Sequence, residues 1–118
     1  MKILVVDDES FIRDFFREVL EMAGFEVILA ENGKRAVTLL HERKVDLVIM
    51  DLVMPEQEGV ETIQALRRSY PDIKIVAMSG AFGGQFLKTA TMLGARATLA
   101  KPVTPAEILK VVRDILSI

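Results

Sequence analysis

The apolar run from Val45 to Met50, interrupted only by Asp46, constrains the fold of this chain more than any other segment. Consecutive valine, isoleucine and leucine residues indicate a strand that is buried on both faces, as in the centre of a parallel sheet. In parallel α/β sheets, ligands bind beyond the carboxyl ends of the strands. Because Asp51 directly follows the run, we expect its carboxylate to lie at the centre of a functional site.

Strand and helix patterns alternate five times along the chain, and no linker or internal repeat interrupts them. Such alternation predicts an α/β fold, built as a doubly wound parallel sheet of five strands with five helices. With 118 residues, the chain is expected to form one domain over residues 1–118. The predicted strands are residues 2–6, 25–30, 45–50, 73–78 and 95–100.

Individual residues predict how the helices begin, end and face the core. Gly24 is placed to close the first helix, Gly59 to lie in the loop before the third, and Thr104 to cap the fifth. In the first helix, Phe11 belongs to the apolar stripe that is expected to face the core. Arg13 belongs to the charged residues that are expected on the opposite side of that helix.

The composition excludes several classes of protein. The net charge of −2 gives no basic surface for a nucleic-acid backbone. No window contains the roughly 18 apolar residues that a membrane span needs. Cysteine is absent, which excludes disulfides and thiolate metal sites and, together with the lack of a secretory segment, favours a cytoplasmic protein. We therefore expect partners other than nucleic acids and membranes.

Polar groups follow four of the predicted strands. Asp7 and Asp8 follow the first strand, Asp51 the third, Ser79 the fourth and Lys101 the fifth. Carboxylates gathered at neighbouring strand ends repel one another unless a cation joins them, and a hard ion that prefers oxygen ligands points to Mg²⁺. With the metal bound, Asp51 can act as a nucleophile toward a phosphoryl donor. The Lys101 ammonium and the Ser79 hydroxyl can then help to neutralise the phosphoryl oxygens.

The segments around these residues resemble the receiver domain of bacterial two-component response regulators over essentially the full chain. The resemblance implies a flavodoxin-like fold with the strand order 2-1-3-4-5. It is carried by the ordered set Val5-Val6-Asp7-Asp8-Glu9, Asp51-Leu52-Val53-Met54-Pro55 with Gly59, Met78-Ser79-Gly80 and Leu99-Ala100-Lys101-Pro102.

The resemblance implies a specific role for each residue of the site. Asp51 would be phosphorylated by a sensor histidine kinase. Mg²⁺ would be held by Asp8, Asp51 and the backbone carbonyl of Val53, with Asp7 acting through water. Lys101 would pair with the phosphoryl group, and Ser79 would move toward it as the activation switch. The chain would catalyse only its own phosphorylation and dephosphorylation, and so would not be an enzyme acting on a separate substrate.

The resemblance also sets expectations for output. Without an output domain in residues 1–118, the protein would signal by docking to an unidentified downstream protein or to a phosphotransfer protein, as a monomer or weak dimer. Thr98 stands where the family often has an aromatic residue, and Arg96 and Ala97 stand where many dimerising members carry acidic residues. We therefore expect a weakened strand-five switch and weakened acidic dimer contacts.

Four other functions deserve comparison. A phosphorelay intermediate would pass its phosphate on to a histidine phosphotransfer protein, and the sequence does not separate it from a terminal regulator. A Mg²⁺-dependent phosphatase that forms a phosphoaspartate needs a second acid two residues after the nucleophile, where this chain has Val53. A nucleotide-binding flavodoxin-like protein is disfavoured because Asp7, Asp8 and Glu9 would repel a phosphate. A scaffold that works without phosphorylation leaves Lys101 and Ser79 unexplained.

Overall fold

Five parallel strands form one sheet in the computed structural model of the chain, which describes residues 1–52, 58–80, 88 and 90–118. The strands are β1 (Lys2–Val6), β2 (Glu26–Ala30), β3 (Leu47–Asp51), β4 (Ile75–Ser79) and β5 (Ala97–Ala100). Their order is β2-β1-β3-β4-β5, and all four pairings are parallel. The predicted doubly wound sheet with the order 2-1-3-4-5 is therefore confirmed.

Five helices accompany the strands, as predicted: four lie between consecutive strands and the fifth follows β5. They are α1 (Ser10–Met22), α2 (Gly33–Glu42), α3 (Glu58–Ser69), α4, which is described at residues 88 and 90–92, and α5 (Pro105–Leu116). Helices α1 and α5 pack together on one face of the sheet, and α2 and α3 pack together on the other. No helix within the described ranges is both long enough and apolar enough to cross a membrane.

The core has two layers, because successive residues of a strand point to opposite faces of the sheet. In β1, Ile3 and Val5 face the layer that contains Phe16 of α1, whereas Leu4 and Val6 face the layer that contains Ile63 of α3. Every residue of β3 and β4 is buried, as the continuous apolar runs predict. β5 at the edge of the sheet is only partly buried.

Two expectations about the helices are wrong. Phe11 is 64% exposed and does not join the core. It precedes the buried Phe16 by five residues, and at 3.6 residues per turn this turns it about 140° away around the helix. Gly59 does not lie in a loop, because it is the second residue of α3. The predicted closing glycine, Gly24 with φ +94°, and the capping box at Thr104 are both confirmed.

A single arginine links α3 to the segments that precede β4 and β5. Arg67, in the last turn of α3, donates from Nη1 to the carbonyls of Pro71 at 2.9 Å and Ile73 at 2.8 Å, and from Nη2 to that of Gly94 at 2.8 Å. Gly94 has φ +101°, and a Cβ placed there would lie 3.1 Å from Arg67 Nε. The glycine thus supplies both the left-handed backbone and the room for the guanidinium.

We predict that Gly94→Ala destabilises the protein more than Gly24→Ala does. Both positions have positive φ, and an L-residue there costs about 1–2 kcal/mol. Only Gly94 adds a contact with a side chain held by three hydrogen bonds, because nothing lies within 4 Å of a Cβ at Gly24. Urea unfolding of the two variants checks this, and equal losses of unfolding free energy would contradict it.

Candidate functional site

The register of the sheet brings the predicted polar residues together at the carboxyl ends of the strands. Val6 pairs with Met50, so Asp7 and Asp51 are the next residues along neighbouring strands. On the other side of β3, Asp51 pairs with Met78, and Ser79 ends β4. Ser79 in turn pairs with Ala100, which places Lys101 one residue beyond β5. The predicted convergence of these groups at the carboxyl ends of the strands is therefore present in the structure.

Asp7, Asp8 and Asp51 form an acidic cluster in which one carboxylate oxygen from each residue lies within 4.8 Å of the others. Asp7 and Asp51 are buried and Asp8 is exposed, so the cluster has two interior carboxylates and one at its mouth. Like charges this close repel strongly in a poorly hydrated site. Val53, the fourth predicted metal ligand, lies outside the described residues.

Lys101 supplies the positive charge that the buried carboxylates face. Its Nζ lies 2.8 Å from Oδ2 of Asp7 and 3.3 Å from Oδ2 of Asp51. Burial acts to lower the pKa of Lys101, but its hydrogen bond to Asp7 and the charge of Asp51 outweigh burial, so the pKa is raised above its ordinary value. The lysine is therefore charged throughout the neutral range. The peptide bond between Lys101 and Pro102 is cis.

Asp7 is held by its backbone as well as by its side chain. Its N–H donates to the carbonyl of Ala30 at 3.2 Å, and its Oδ1 accepts from the N–H of Glu9 at 2.9 Å. Arg13 Nη1 donates to the Asp7 carbonyl at 2.7 Å. The helical pattern assigned Arg13 to the solvent side of α1, and it carried no signal that this side chain reaches back to the turn between β1 and α1.

Ser79 is buried at the end of β4 with an unsatisfied hydroxyl. Its Oγ has no hydrogen-bond partner within the described part of the chain. A buried hydroxyl without a partner is costly, at about 1–3 kcal/mol. Among the described residues, the Ser79 hydroxyl at the end of the strand next to Asp51 is therefore a donor that a group entering the site could use.

Gly59 allows α3 to begin against the end of β3. A Cβ at this position would overlap the backbone carbonyl of Asp51 and the Cα of Leu52. Backbone atoms cannot yield as a flexible side chain can, so only glycine fits. This close approach, rather than a loop conformation, is the structural reason for a glycine eight residues after Asp51.

Thr98 lies in the middle of β5 with its side chain exposed, opposite Ala77 of β4. Arg96, just before β5, is also exposed. A threonine has far less apolar surface to bury than an aromatic ring. Residues 81–87, which follow Ser79 and Gly80, lie outside the described residues.

Comparison with known proteins gives a consistent result for sequence. A family model described as the response regulator receiver domain matches residues 3–113. The transcriptional regulatory protein CpxR of Escherichia coli (strain K12) is 37% identical over 116 residues, which cover 98% of this chain and 49% of CpxR. The chemotaxis protein CheY of Thermotoga maritima is 31% identical over 115 residues, which cover 97% of this chain and 96% of CheY. The chain thus spans about half the length of CpxR.

Solved structures agree with the sequence comparison. A CheY-like receiver domain protein from Methanospirillum hungatei JF-1 matches with a TM-score of 0.91 and 27% identity, over 98% of this chain and 93% of that one. The chemotaxis protein CheY4 of Vibrio cholerae matches with a TM-score of 0.89 and 29% identity, over 97% of each chain.

We predict that Lys101→Met destabilises the metal-free protein by about 2 kcal/mol, because it leaves two buried carboxylates without their cation. This figure lies below that for a fully buried pair, because 18% of the Lys101 side chain is exposed. Lys110→Met is the matched control. The Lys110 pair with Asp114 is exposed and should have little effect.

The pH dependence of this loss has a definite sign. A group whose pKa is raised in the folded protein contributes stability that is present below its ordinary pKa and disappears as pH rises through the folded value. The deficit of Lys101→Met should therefore persist across the neutral range and, on the alkaline side, shrink above the ordinary lysine pKa of 10.5. Urea unfolding in EDTA measures it, and equal stabilities of the Lys101 and Lys110 variants would disprove the assignment.

Proposed function

The chain belongs to the response regulator receiver domain family, and from this premise we propose that it is a phosphorylation-activated switch with Asp51 as its phosphoacceptor. A receiver domain of two-component systems implies a histidine kinase as the phosphoryl donor. Receiver domains generally act in signalling rather than as metabolic enzymes. We propose that this chain likewise promotes only the gain and loss of its own phosphate.

One observation carries the proposal: the Asp51 carboxylate lies at the end of the central strand, 3.3 Å from the ammonium of Lys101 and within the acidic cluster. In the transfer step, an Asp51 oxygen forms a bond to the phosphorus of a phosphohistidine as the P–N bond breaks. The imidazole keeps the electron pair of that bond. The reaction needs neutralisation of the phosphoryl oxygens more than it needs proton transfer, and Lys101 is placed to supply it.

The acidic cluster fits a Mg²⁺ ion. Receiver domains bind Mg²⁺ at such a group of aspartates, and three carboxylates are the hard oxygen donors that this ion prefers. We propose that Asp8 and Asp51 hold it directly, that Asp7 acts through water, and that the Val53 carbonyl completes the protein ligands. When bound, the metal neutralises charge on the carboxylates and on the phosphoryl oxygens.

Ser79 is proposed as the group that senses the phosphate. Its hydroxyl is buried and lacks a partner among the residues that the structure covers, on the strand next to Asp51. A phosphoryl oxygen would accept a hydrogen bond from it. A modification shifts a conformational equilibrium only through interactions that differ between the two states, and this new bond is one such difference.

We propose docking to a partner protein as the means of output, and a cytoplasmic location suggested by the absence of cysteine. Thr98 in place of an aromatic favours a switch that depends on Ser79 and Lys101 more than on β5. A relay that returns the phosphate to a phosphotransfer histidine uses the same site in reverse. Measuring whether phosphate passes from Asp51 to a histidine phosphotransfer protein distinguishes a relay intermediate from a regulator that signals by docking.

We predict one Mg²⁺-dependent phosphoryl addition when the protein is incubated with acetyl phosphate, because a small donor needs only the site itself. Asp51→Asn should abolish the addition, since an amide is a poor nucleophile. Asp72→Asn, at an exposed turn before the start of β4 and so at the opposite end of the strands from Asp51, is the control and should be labelled normally. Intact-mass spectrometry checks this, and full labelling of the Asp51 variant would reject Asp51 as the acceptor.

We also predict that Mg²⁺ raises the melting temperature of the unphosphorylated protein. Binding to the folded state alone stabilises by mass action, and here it also relieves repulsion among the carboxylates. Asp8→Asn removes the exposed ligand and should remove most of the effect, whereas Asp14→Asn on the outer side of α1 should not. A wild-type melting temperature that stays constant at millimolar Mg²⁺, under otherwise identical salt, would count against the metal site.

A further inference from the structure

We propose that Arg13 is a positioning residue for the acidic cluster: it fixes the peptide between Asp7 and Asp8 and so sets the geometry of both carboxylates toward the metal. The inference rests on the proposed function of this site and adds to it a residue outside the ligand set. Arg13 stands in the second turn of α1 and is half-buried.

The contact itself is short and directional. Arg13 Nη1 donates to the Asp7 carbonyl at 2.7 Å, and hydrogen bonds from a charged donor are shorter and stronger than neutral ones. The carbonyl belongs to the peptide that links Asp7 to Asp8. Fixing the direction of this carbonyl therefore fixes the orientation of the peptide plane that precedes the Cα of Asp8.

Asp7 and Asp8 depend on this peptide to different degrees. The Asp7 side chain has its own anchors, because Oδ1 accepts from the N–H of Glu9 and Oδ2 from Lys101. The exposed Asp8 has neither a hydrogen bond nor an ion pair within the described residues. Its place in the cluster is therefore set by the backbone on either side of it, and Arg13 holds that backbone from α1.

If Arg13 acted on the site only through its positive charge, replacing it would change the Mg²⁺ affinity in the opposite direction. A positive charge near the cluster disfavours a cation, so removing that charge alone would tighten Mg²⁺ binding. Removing an anchor of the ligands would weaken Mg²⁺ binding, and outer-shell partners of metal sites are typically worth about 10–100-fold in affinity. The sign of the change separates the two roles.

The chain offers a matched control one turn further along α1. Arg17 is exposed, and its Nη2 lies 3.3 Å from Asp14 Oδ1 on the helix surface. Arg17→Met removes the same charge from the same helix without touching the peptide after Asp7. Arg13→Lys keeps the charge but loses the planar guanidinium, so it tests geometry at constant charge.

The experiment is a titration of each variant of residues 1–118 with MgCl₂ at constant ionic strength, in which amide chemical shifts report binding. We expect Arg13→Met to weaken Mg²⁺ binding about tenfold, Arg13→Lys to weaken it by less, and Arg17→Met to match the wild type within about twofold. Arg13→Met binding as tightly as Arg17→Met, or more tightly, would overturn the proposal. Should Arg13→Met fail to fold, the Arg13→Lys result decides by the same comparison with wild type.

A second readout needs no metal. The Glu9 amide donates to Asp7 Oδ1, so its proton shift reports the geometry of the turn. It should move in both Arg13 variants in EDTA and stay fixed in Arg17→Met; a fixed shift in all three overturns the proposal. If wild type binds no Mg²⁺ at all, the proposed metal site fails, and the Glu9 shift alone then supports or overturns the role of Arg13.

Discussion

The ammonium of Lys101, held between the buried carboxylates of Asp7 and Asp51, is the contact on which the site depends. Two interior carboxylates without a cation would oppose folding, because an unpaired buried charge is among the most costly defects in a protein. The lysine neutralises only part of the negative charge of the acidic cluster, however. Three carboxylates and one ammonium leave two formal negative charges, and a divalent cation carries the charge that cancels them.

The two ends of the strands differ in character. At the carboxyl ends of the strands, charged groups stand close together, and the Ser79 hydroxyl has no hydrogen-bond partner among the described residues. At the opposite ends of the strands, Arg67 donates hydrogen bonds to three carbonyls and so links the segments before β4 and β5 to α3. Unfavourable interactions are thus concentrated where a ligand can relieve them, and favourable ones hold the frame that keeps them there.

The fold class and the placement of the candidate site residues could be predicted because they depend on short-range patterns. Continuous apolar runs marked β3 and β4, and polar residues directly after strands must meet at one edge of a parallel sheet. The strand order came from the family resemblance. Gly59 and Arg13 were misjudged for a different reason: their roles depend on atoms from other elements. A helical pattern shows which face is polar, but not that a long arginine folds back to a carbonyl six residues earlier.

The contact between Lys101 and Asp7 joins residues that are 94 positions apart, and that between Lys101 and Asp51 spans 50. Closing loops of this length costs conformational entropy, so contacts so distant in sequence form more slowly than local ones. A chain still emerging from the ribosome without β5 has Asp51 but lacks the lysine that completes its surroundings. Under the proposed function, a phosphoacceptor site without Lys101 would lack the cation that faces its carboxylates, so the residue that follows the last strand completes the site.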